Sequence, residues 1–290
     1  RKSTRRIAAV HDLSGVGRVS LMVVIPILST MGFDVCPLPT AILSNHTQYP
    51  EYSFLDLTDE MPKMIAGWKK LEIEFDAIYT DYLGSPRQIQ IVSGFIDDFR
   101  REDTLIVVDP VLGDNGRLYA GMRFSFSCLA IMRVLARRAD VLTPNLTELF
   151  ALLDRPYQHE CSDELLKEAL KALSAQGPDT VIITGVPVVG RPDLTSVVAS
   201  SRSDGRAWKV TCPYLPAHYP GTGDAFTSVV TGALLQGDSL PVALDRAAQF
   251  ILQGIRATFG YQGDNREGIL LERVLPNLNL PIQSSTYELL

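Results

Sequence analysis

The sequence predicts an α/β protein built on a mostly parallel sheet with helices on both faces. Three observations carry that prediction. Short apolar runs, of the kind buried on both sides, alternate with longer helical patterns over the first two thirds of the chain. Capping and turn residues stand at the junctions between them. The 290 residues are 46% hydrophobic and 21% charged, with no internal repeat, low-complexity tract or linker to divide them, so one domain over residues 1–290 is expected.

The elements follow in order. Ile7–Val10 reads as a buried strand, followed by a Gly-rich turn and an apolar helix from about Val19 to Met31. Phe33–Leu43 reads as extended, and Pro37 and Pro39 push it toward a sheet edge or an irregular strand, because proline cannot donate to a ladder. Asp76–Thr80 and Thr104–Val108 are further strands. Between them a helix over Pro86–Arg100 has proline in its first turn and Ser85 as its cap. Val141–Thr143 leads into a helix from Asn145 to Leu153, and a second helix, Ser162–Ala175, opens on Ser162 and Asp163 and closes at Gly177-Pro178. Thr180–Thr184 is the clearest buried parallel strand. Thr195–Ser200 and Ala207–Thr211 flank Ser203-Asp204-Gly205-Arg206 and predict a hairpin. The remainder reads as helical over Gly223–Leu235, Leu240–Thr258 and Glu267–Leu275. Right-handed crossovers would set the strand ends along one edge, where open α/β sheets bind ligands.

Composition narrows the function. A net charge of −6 argues against a broad nucleic-acid surface. Four scattered cysteines, with no CxxC pair or Cys/His cluster, read as thiols of a reducing compartment, and a cytoplasmic protein is expected. Val19–Leu28 is too short for a membrane span and is broken by Pro26, while Arg1–Arg6 followed only by Ile7–Val10 does not make a signal peptide.

The sharpest chemical signal is Pro220-Gly221-Thr222-Gly223-Asp224-Ala225-Phe226 leading into an apolar helix. Two glycines before a helix let backbone N–H groups converge on an anion, and the helix terminus favours negative charge. A carboxylate at Asp224 can accept the proton of an attacking hydroxyl while the Gly221, Thr222 and Gly223 amides stabilise a phosphoryl group. The plain alternative is a Gly-rich turn with Asp in the first helical turn. The string is not a Walker A loop, since no Lys-Ser/Thr follows, and Gly15-x-Gly17 lacks the third glycine of a dinucleotide site. Asp109 and Asp114, five apart after a strand, suit Mg²⁺ held directly or through water, against an Asp-Pro turn plus a solvated Asp. Asn145 and Glu148 share one face of a helix start, and equally spell a capping box.

The GTGDAF string resembles the anion-hole and base signature of the ribokinase superfamily. Ser44-Asn45-His46-Thr47-Gln48-Tyr49, Tyr82-Leu83-Gly84-Ser85, Asp109-Pro110-Val111-Leu112-Gly113-Asp114 and Thr143-Pro144-Asn145-Leu146-Thr147-Glu148-Leu149 resemble, in family order, segments of its pyridoxal kinase and hydroxymethylpyrimidine kinase branch. The resemblance implies a ribokinase-like three-layer sandwich that phosphorylates the 5′-hydroxymethyl group of a vitamin B6 vitamer with ATP and Mg²⁺. It implies Asp224 as base, and Asp109, Asp114, Tyr119, Asn145 and Thr184 beside ATP. Glu148 and Asp109 then act on the metal, and Thr47, Tyr82 and Asp12 lie in the substrate pocket. Tyr119 would belong to a segment that closes over ATP. A homodimer is also implied, and a monovalent cation is a further candidate cofactor; no nucleic-acid or membrane partner is expected, from the charge and the short apolar window above.

Two departures stand out. Asp12 replaces the serine of many pyridoxal kinases and matches hydroxymethylpyrimidine kinases, and Asp81 replaces their common glycine before the tyrosine. His46 reads as a packed or capping side chain. A hydroxymethylpyrimidine (phosphate) kinase and a catalytically silent ligand-binding homologue are the alternative functions.

Overall fold

Alternation along the strands decides which face each side chain covers. In β1 (Arg6–Val16), Ile7 and Ala9 point into one apolar cluster while Ala8 and Val10 point into the other. The same split recurs in β4 (Ala77–Thr80), with Tyr79 on one face and Ile78 on the opposite one, and in β9 (Thr180–Val188), with Ile182 opposed to Val181 and Ile183. Strands that are apolar on both faces need helices on both faces, which is the three-layer arrangement expected. The structure, a computed structural model, describes residues 4–119, 126–261, 263–281 and 285–290.

The remaining strands are β2 (Asp34–Asn45), β3 (Phe54–Asp56), β5 (Leu105–Val108), β8 (Val141–Leu142), β10 (Arg191–Ser201), β11 (Arg206–Pro213) and β12 (Tyr287–Leu289). The sheet runs β12-β11-β10-β9-β8-β5-β4-β1-β2-β3, and β6 (Gly113–Asp114) and β7 (Arg117–Leu118) form a small hairpin beside it. Pairing is parallel from β9 through β2 and antiparallel at both flanks. One face is covered by α2 (Met61–Lys70), α3 (Pro86–Phe99), α4 (Phe126–Ala136), α5 (Leu146–Leu153) and α6 (Asp163–Ser174). The other carries α1 (Leu21–Thr30), α7 (Thr222–Gln236), α8 (Leu240–Phe259) and the short α9 (Leu271–Val274).

Local chemistry explains the helix starts. The Ser85 hydroxyl accepts from the Gln88 amide with Pro86 following, and the Ser162 hydroxyl accepts from Leu165 N. The prolines of β2 also fall where expected. β3 pairs only with Ala41–Leu43, so the stretch that holds Pro37 and Pro39 is a sheet edge.

Two expectations change. The helix expected over Glu267–Leu275 is broken into a 3₁₀ turn at Asn265–Glu267, α9, and a second 3₁₀ turn at Leu275–Asn279. Gly268 breaks it at φ 80°, where a Cβ would stand 2.9 Å from the Arg18 carbonyl. Thr184 does not end its strand, because β9 continues to Val188 as the antiparallel partner of β10. The sequence reading also missed α2, α4, β3 and β12.

Candidate active site

One cleft of about 1200 Å³ is lined by every site residue singled out from the sequence: Asp12, Thr47, Tyr82, Asp109, Asp114, Tyr119, Asn145, Glu148, Thr184, Gly221, Thr222, Gly223 and Asp224. They come from the interior of β1 (Asp12), the ends of β4, β5 and β8, the β6–β7 hairpin, the middle of β9, the β2–β3 connection and the starts of α5 and α7. Tyr119 is the last described residue before 120–125. The rest of the segment expected to close over ATP lies outside the described residues.

The start of α7 is shaped for an anion. Gly221 is its N-cap at φ 80°, where any Cβ would run into the Arg18 carbonyl, so only glycine fits. Gly221 has no side chain to cap the first turn, which leaves its amides to a ligand. At Gly223 nothing lies within 4 Å of where a Cβ would be, so glycine there keeps open space in front of the helix. Asp224 stands in the first turn, and its Oδ2 accepts from the Ser20 amide at 2.7 Å. The Ser20 hydroxyl donates to Asp12 Oδ1 at 2.6 Å, and Ser14 Oγ donates to Asp12 Oδ2 at 3.2 Å. One serine at the mouth of α1 therefore ties the two carboxylates together.

On the opposite side Glu148 and Asn145 close a full capping box. The Glu148 amide donates to Asn145 Oδ1 at 3.0 Å, and Glu148 Oε2 accepts from Asn145 N at 2.8 Å. Glu148 Oε1 accepts from Leu112 N at 3.1 Å, and Asn145 Nδ2 donates to the Gly113 carbonyl at 2.8 Å, fastening the acidic turn to α5. The capping alternative is thus realised. The Glu148 side chain nevertheless still lines the cleft. Asp109 Oδ2 accepts from Thr227 Oγ1 at 3.3 Å, a contact from the second turn of α7.

Crowding of carboxyls in a dry site shifts their protonation. Burial, then the charge of Asp224, pushes Asp109 up to about 8. Burial, then Asp109, holds Glu148 well above the usual carboxylate range against its backbone N–H bonds. Asp81 is likewise pushed far up by burial and then by Asp224, and its Oδ1 accepts from the Tyr82 amide at 2.5 Å. Asp12 is raised by burial, with the Ser20 hydroxyl opposing. His11 moves the other way, to about 4, because burial disfavours its cation. The 4.0 Å approach of His11 Nε2 to Asp81 Oδ2 has ion-pair geometry. Burial favours the neutral form of both, so the contact is not an ion pair.

No three His, Cys, Asp or Glu side chains converge into a metal cage among the described residues. Asp109 and Glu148, both driven toward their neutral forms chiefly by burial, nevertheless fit a hard dication held mainly by phosphates and water. Mg²⁺ favours that ligand set, and it would restore the ionised carboxylates.

Sequence reasoning missed Ser20 and Thr227, and the apolar wall made by Ala248, Ile251, Leu252 and Ile255 of α8. Their spacing marks one helix face, a pattern that core packing produces equally well.

The sequence model of the phosphomethylpyrimidine kinase family matches residues 40–267, more than half of the chain. The chain belongs to the phosphomethylpyrimidine kinase family. Among solved structures, a Bacteroides thetaiotaomicron protein assigned to the phosphomethylpyrimidine kinases and crystallised with pyridoxal is 72% identical, covering 99% of this chain and 100% of that one at a TM-score of 0.95. Pyridoxal kinase from Lactobacillus plantarum is 34% identical over 96% and 97% of the two chains, at a TM-score of 0.86. Pyridoxal kinase from Arabidopsis thaliana is 27% identical, covering 88% of this chain and 81% of that one. The fold of this phosphomethylpyrimidine kinase family member is therefore the ribokinase-like sandwich that the motifs implied.

Proposed function

We propose that the chain transfers the γ-phosphoryl group of ATP to the 5′-hydroxymethyl group of a vitamin B6 vitamer. The observation that carries this is the placement of Asp224 at the amide-rich start of α7, in a cleft shared with Asp12, Thr47 and Tyr82 on one side and Asp109, Asn145 and Glu148 on the other. The 72% identical Bacteroides protein crystallised with pyridoxal supports the substrate class, and the similarity to pyridoxal kinases supports the reaction.

In this reading the alcohol lies against Asp12, Thr47 and Tyr82, whose ring can stack on a flat pyridine. Asp224 accepts the hydroxyl proton as the oxygen bonds to the γ-phosphorus and the bond to the β-phosphate oxygen breaks, releasing ADP. The Gly221–Gly223 amides hold the phosphoryl oxygens, and the turn around Asp114, Asn145 and Thr184 flanks the nucleotide. Mg²⁺ bound beside Asp109 and Glu148, chiefly through water, would neutralise charge on the phosphates. A single kinase domain, a homodimer and a cytoplasmic location complete the proposal. Consistent with it, no helix among the described residues is long and apolar enough to cross a membrane.

The test is ADP release by the purified protein with Mg²⁺, ATP and pyridoxal, pyridoxamine or pyridoxine, with the product identified by mass. Release that depends on a vitamer is expected. No vitamer-dependent release would remove the reading.

A further inference from the structure

We infer that Arg266 is a positioning residue for the alcohol: from outside the cleft it clasps the β2–β3 connection and so holds Thr47 and Gln48 in place. The inference deepens the function proposed above and rests on it for the part Thr47 plays. Arg266 is not among the residues that line the cleft, whereas His46, Thr47 and Gln48 are.

The connection is closed at its stem by local bonds. The Ser44 amide donates to the Ser53 carbonyl at 3.2 Å, and Asn45 Nδ2 donates to the Glu51 carbonyl at 2.8 Å. The tip bonds to itself: the Tyr49 amide donates to the His46 carbonyl at 3.2 Å, and the Gln48 amide to His46 Nδ1 at 3.4 Å. None of these bonds fixes where the tip sits. Among the described residues, one hydrogen bond carries 46–50 to another segment, from His46 Nε2 to the Arg266 carbonyl at 2.5 Å. With Nδ1 accepting from Gln48, the ring proton belongs on Nε2, facing that carbonyl.

The side chain of Arg266 makes the second hold. Its guanidinium stands 4.8 Å over the Tyr49 ring, and that ring meets His46 edge-on with centroids 4.9 Å apart. A cation over an aromatic face is attracted to it. Asp264 keeps the guanidinium aimed, with Arg266 Nε 2.9 Å from both carboxylate oxygens and Nη2 2.7 Å from Oδ2. Gly17 gives His46 its seat, since a Cβ there would run into the imidazole.

The turn that carries Arg266 is fastened on its other side through the main chain. The Glu267 carbonyl accepts from Arg18 N at 3.0 Å and from Arg18 Nη1 at 3.1 Å. Gly268 lies so close to the Arg18 and Pro220 carbonyls that a Cβ would stand 2.9 and 3.1 Å from them. The Arg18 carbonyl in turn packs against Gly221, the N-cap of α7. The turn is therefore a fixed strut beside the anion-binding amides, and the Arg266 side chain projects from it to the substrate loop. Removing that side chain frees the loop and leaves the strut. An alcohol that needs the held loop then binds more weakly in proportion to the lost population, while phosphoryl transfer from bound reactants is little changed.

The experiment combines steady-state kinetics on a B6 vitamer and ATP with hydrogen exchange of the unliganded protein. The variants are Arg266→Ala, Tyr49→Ala, the two together, and Tyr49→Phe. KM for the vitamer should rise about three- to tenfold in each alanine variant, with kcat and KM for ATP within about twofold of wild type. The double variant should be no worse than the singles, because both remove the same contact. Tyr49→Phe keeps the ring face and should match wild type. Amides of 46–50 should exchange faster in the alanine variants, and those of 218–224 should keep the wild-type rate. Unchanged exchange at 46–50 overturns the inference, as do additive effects in the double variant. A parallel rise in KM for both substrates also overturns it, since a merely structural role predicts that. If the wild type phosphorylates no vitamer, the proposed function falls, and the exchange comparison still decides whether Arg266 holds the loop.

Discussion

The amide of Ser20 donates a 2.7 Å hydrogen bond to Oδ2 of Asp224, across a sequence separation of 204 residues. Ser20 reaches that position at φ 49° and ψ −130°, an uncommon conformation for a residue with a side chain. The strain is spent at the point where the first helix meets the helix that carries the base.

Ser20 therefore has two separable duties. Ser20→Ala keeps the amide and loses the hydroxyl that holds Asp12, so KM for the alcohol should rise while kcat changes less. Ser20→Gly loses the same hydroxyl but relaxes the backbone, and should be about 1 kcal/mol more stable than the alanine variant. Steady-state kinetics and chemical denaturation of the pair check this. Equal stabilities would show that the backbone is not strained.

Asp224→Asn keeps an oxygen for the Ser20 amide and removes the proton acceptor. Turnover should fall by about 10²–10⁴-fold, the usual contribution of a positioned base, with nucleotide affinity largely intact. Single-turnover kinetics and a nucleotide-binding titration test the two halves. Near-normal turnover would dismiss the base.

Gln88 pins the substrate side of the cleft. Its buried amide donates to the Thr40 carbonyl at 3.1 Å and to Thr58 Oγ1 at 3.0 Å, and its Oε1 accepts from the Gly84 amide at 2.9 Å. Gln88→Leu leaves these groups unpaired and should cost about 1–3 kcal/mol. KM for the vitamer should rise more than KM for ATP. A parallel rise in both would show a general loss of structure.

His11 gives a pH dependence with a definite sign. Its pKa falls from 6.5 in the unfolded chain to about 4 in the fold, because burial disfavours the cation. Between those values the unfolded state binds a proton that the native state does not, so stability drops as pH falls from 6.5 toward 4. The loss attributable to this residue is about 3 kcal/mol. The buried carboxyls contribute slopes of opposite sign, so the measurement is the difference in unfolding free energy between wild type and His11→Gln over that window. A pH-independent difference would refute the assignment.

Much of this was legible from local signals. Ile7–Val10 and Thr180–Thr184 could be read as buried strands because β-branched and small apolar residues crowd both faces. Ser85 and Ser162 announced their helices through short-range caps. The GTGD turn could be read because Gly221 must adopt a left-handed conformation and Asp224 follows it at a helix start. The weaker readings concern long-range partners. Asp81 could be seen as an extra carboxylate, but its place beside Asp224 could not. Glu148 could not be divided between cap and metal until both of its oxygens were seen taking backbone N–H groups. The helix expected over Glu267–Leu275 failed because Gly268 packs against Arg18, some 250 positions away.

The sequence alone determined the alternating architecture, the edge along which the site would lie and the Gly-rich turn with Asp224, since periodicity, capping and turn chemistry act over a few residues; the other site residues were named through the motifs' resemblance to a family. Tertiary structure decided which carboxyls share a buried cleft and which are committed to backbone amides. Those outcomes depend on burial and on distances between segments far apart in the chain, and charge in a low-dielectric site is set by such distances.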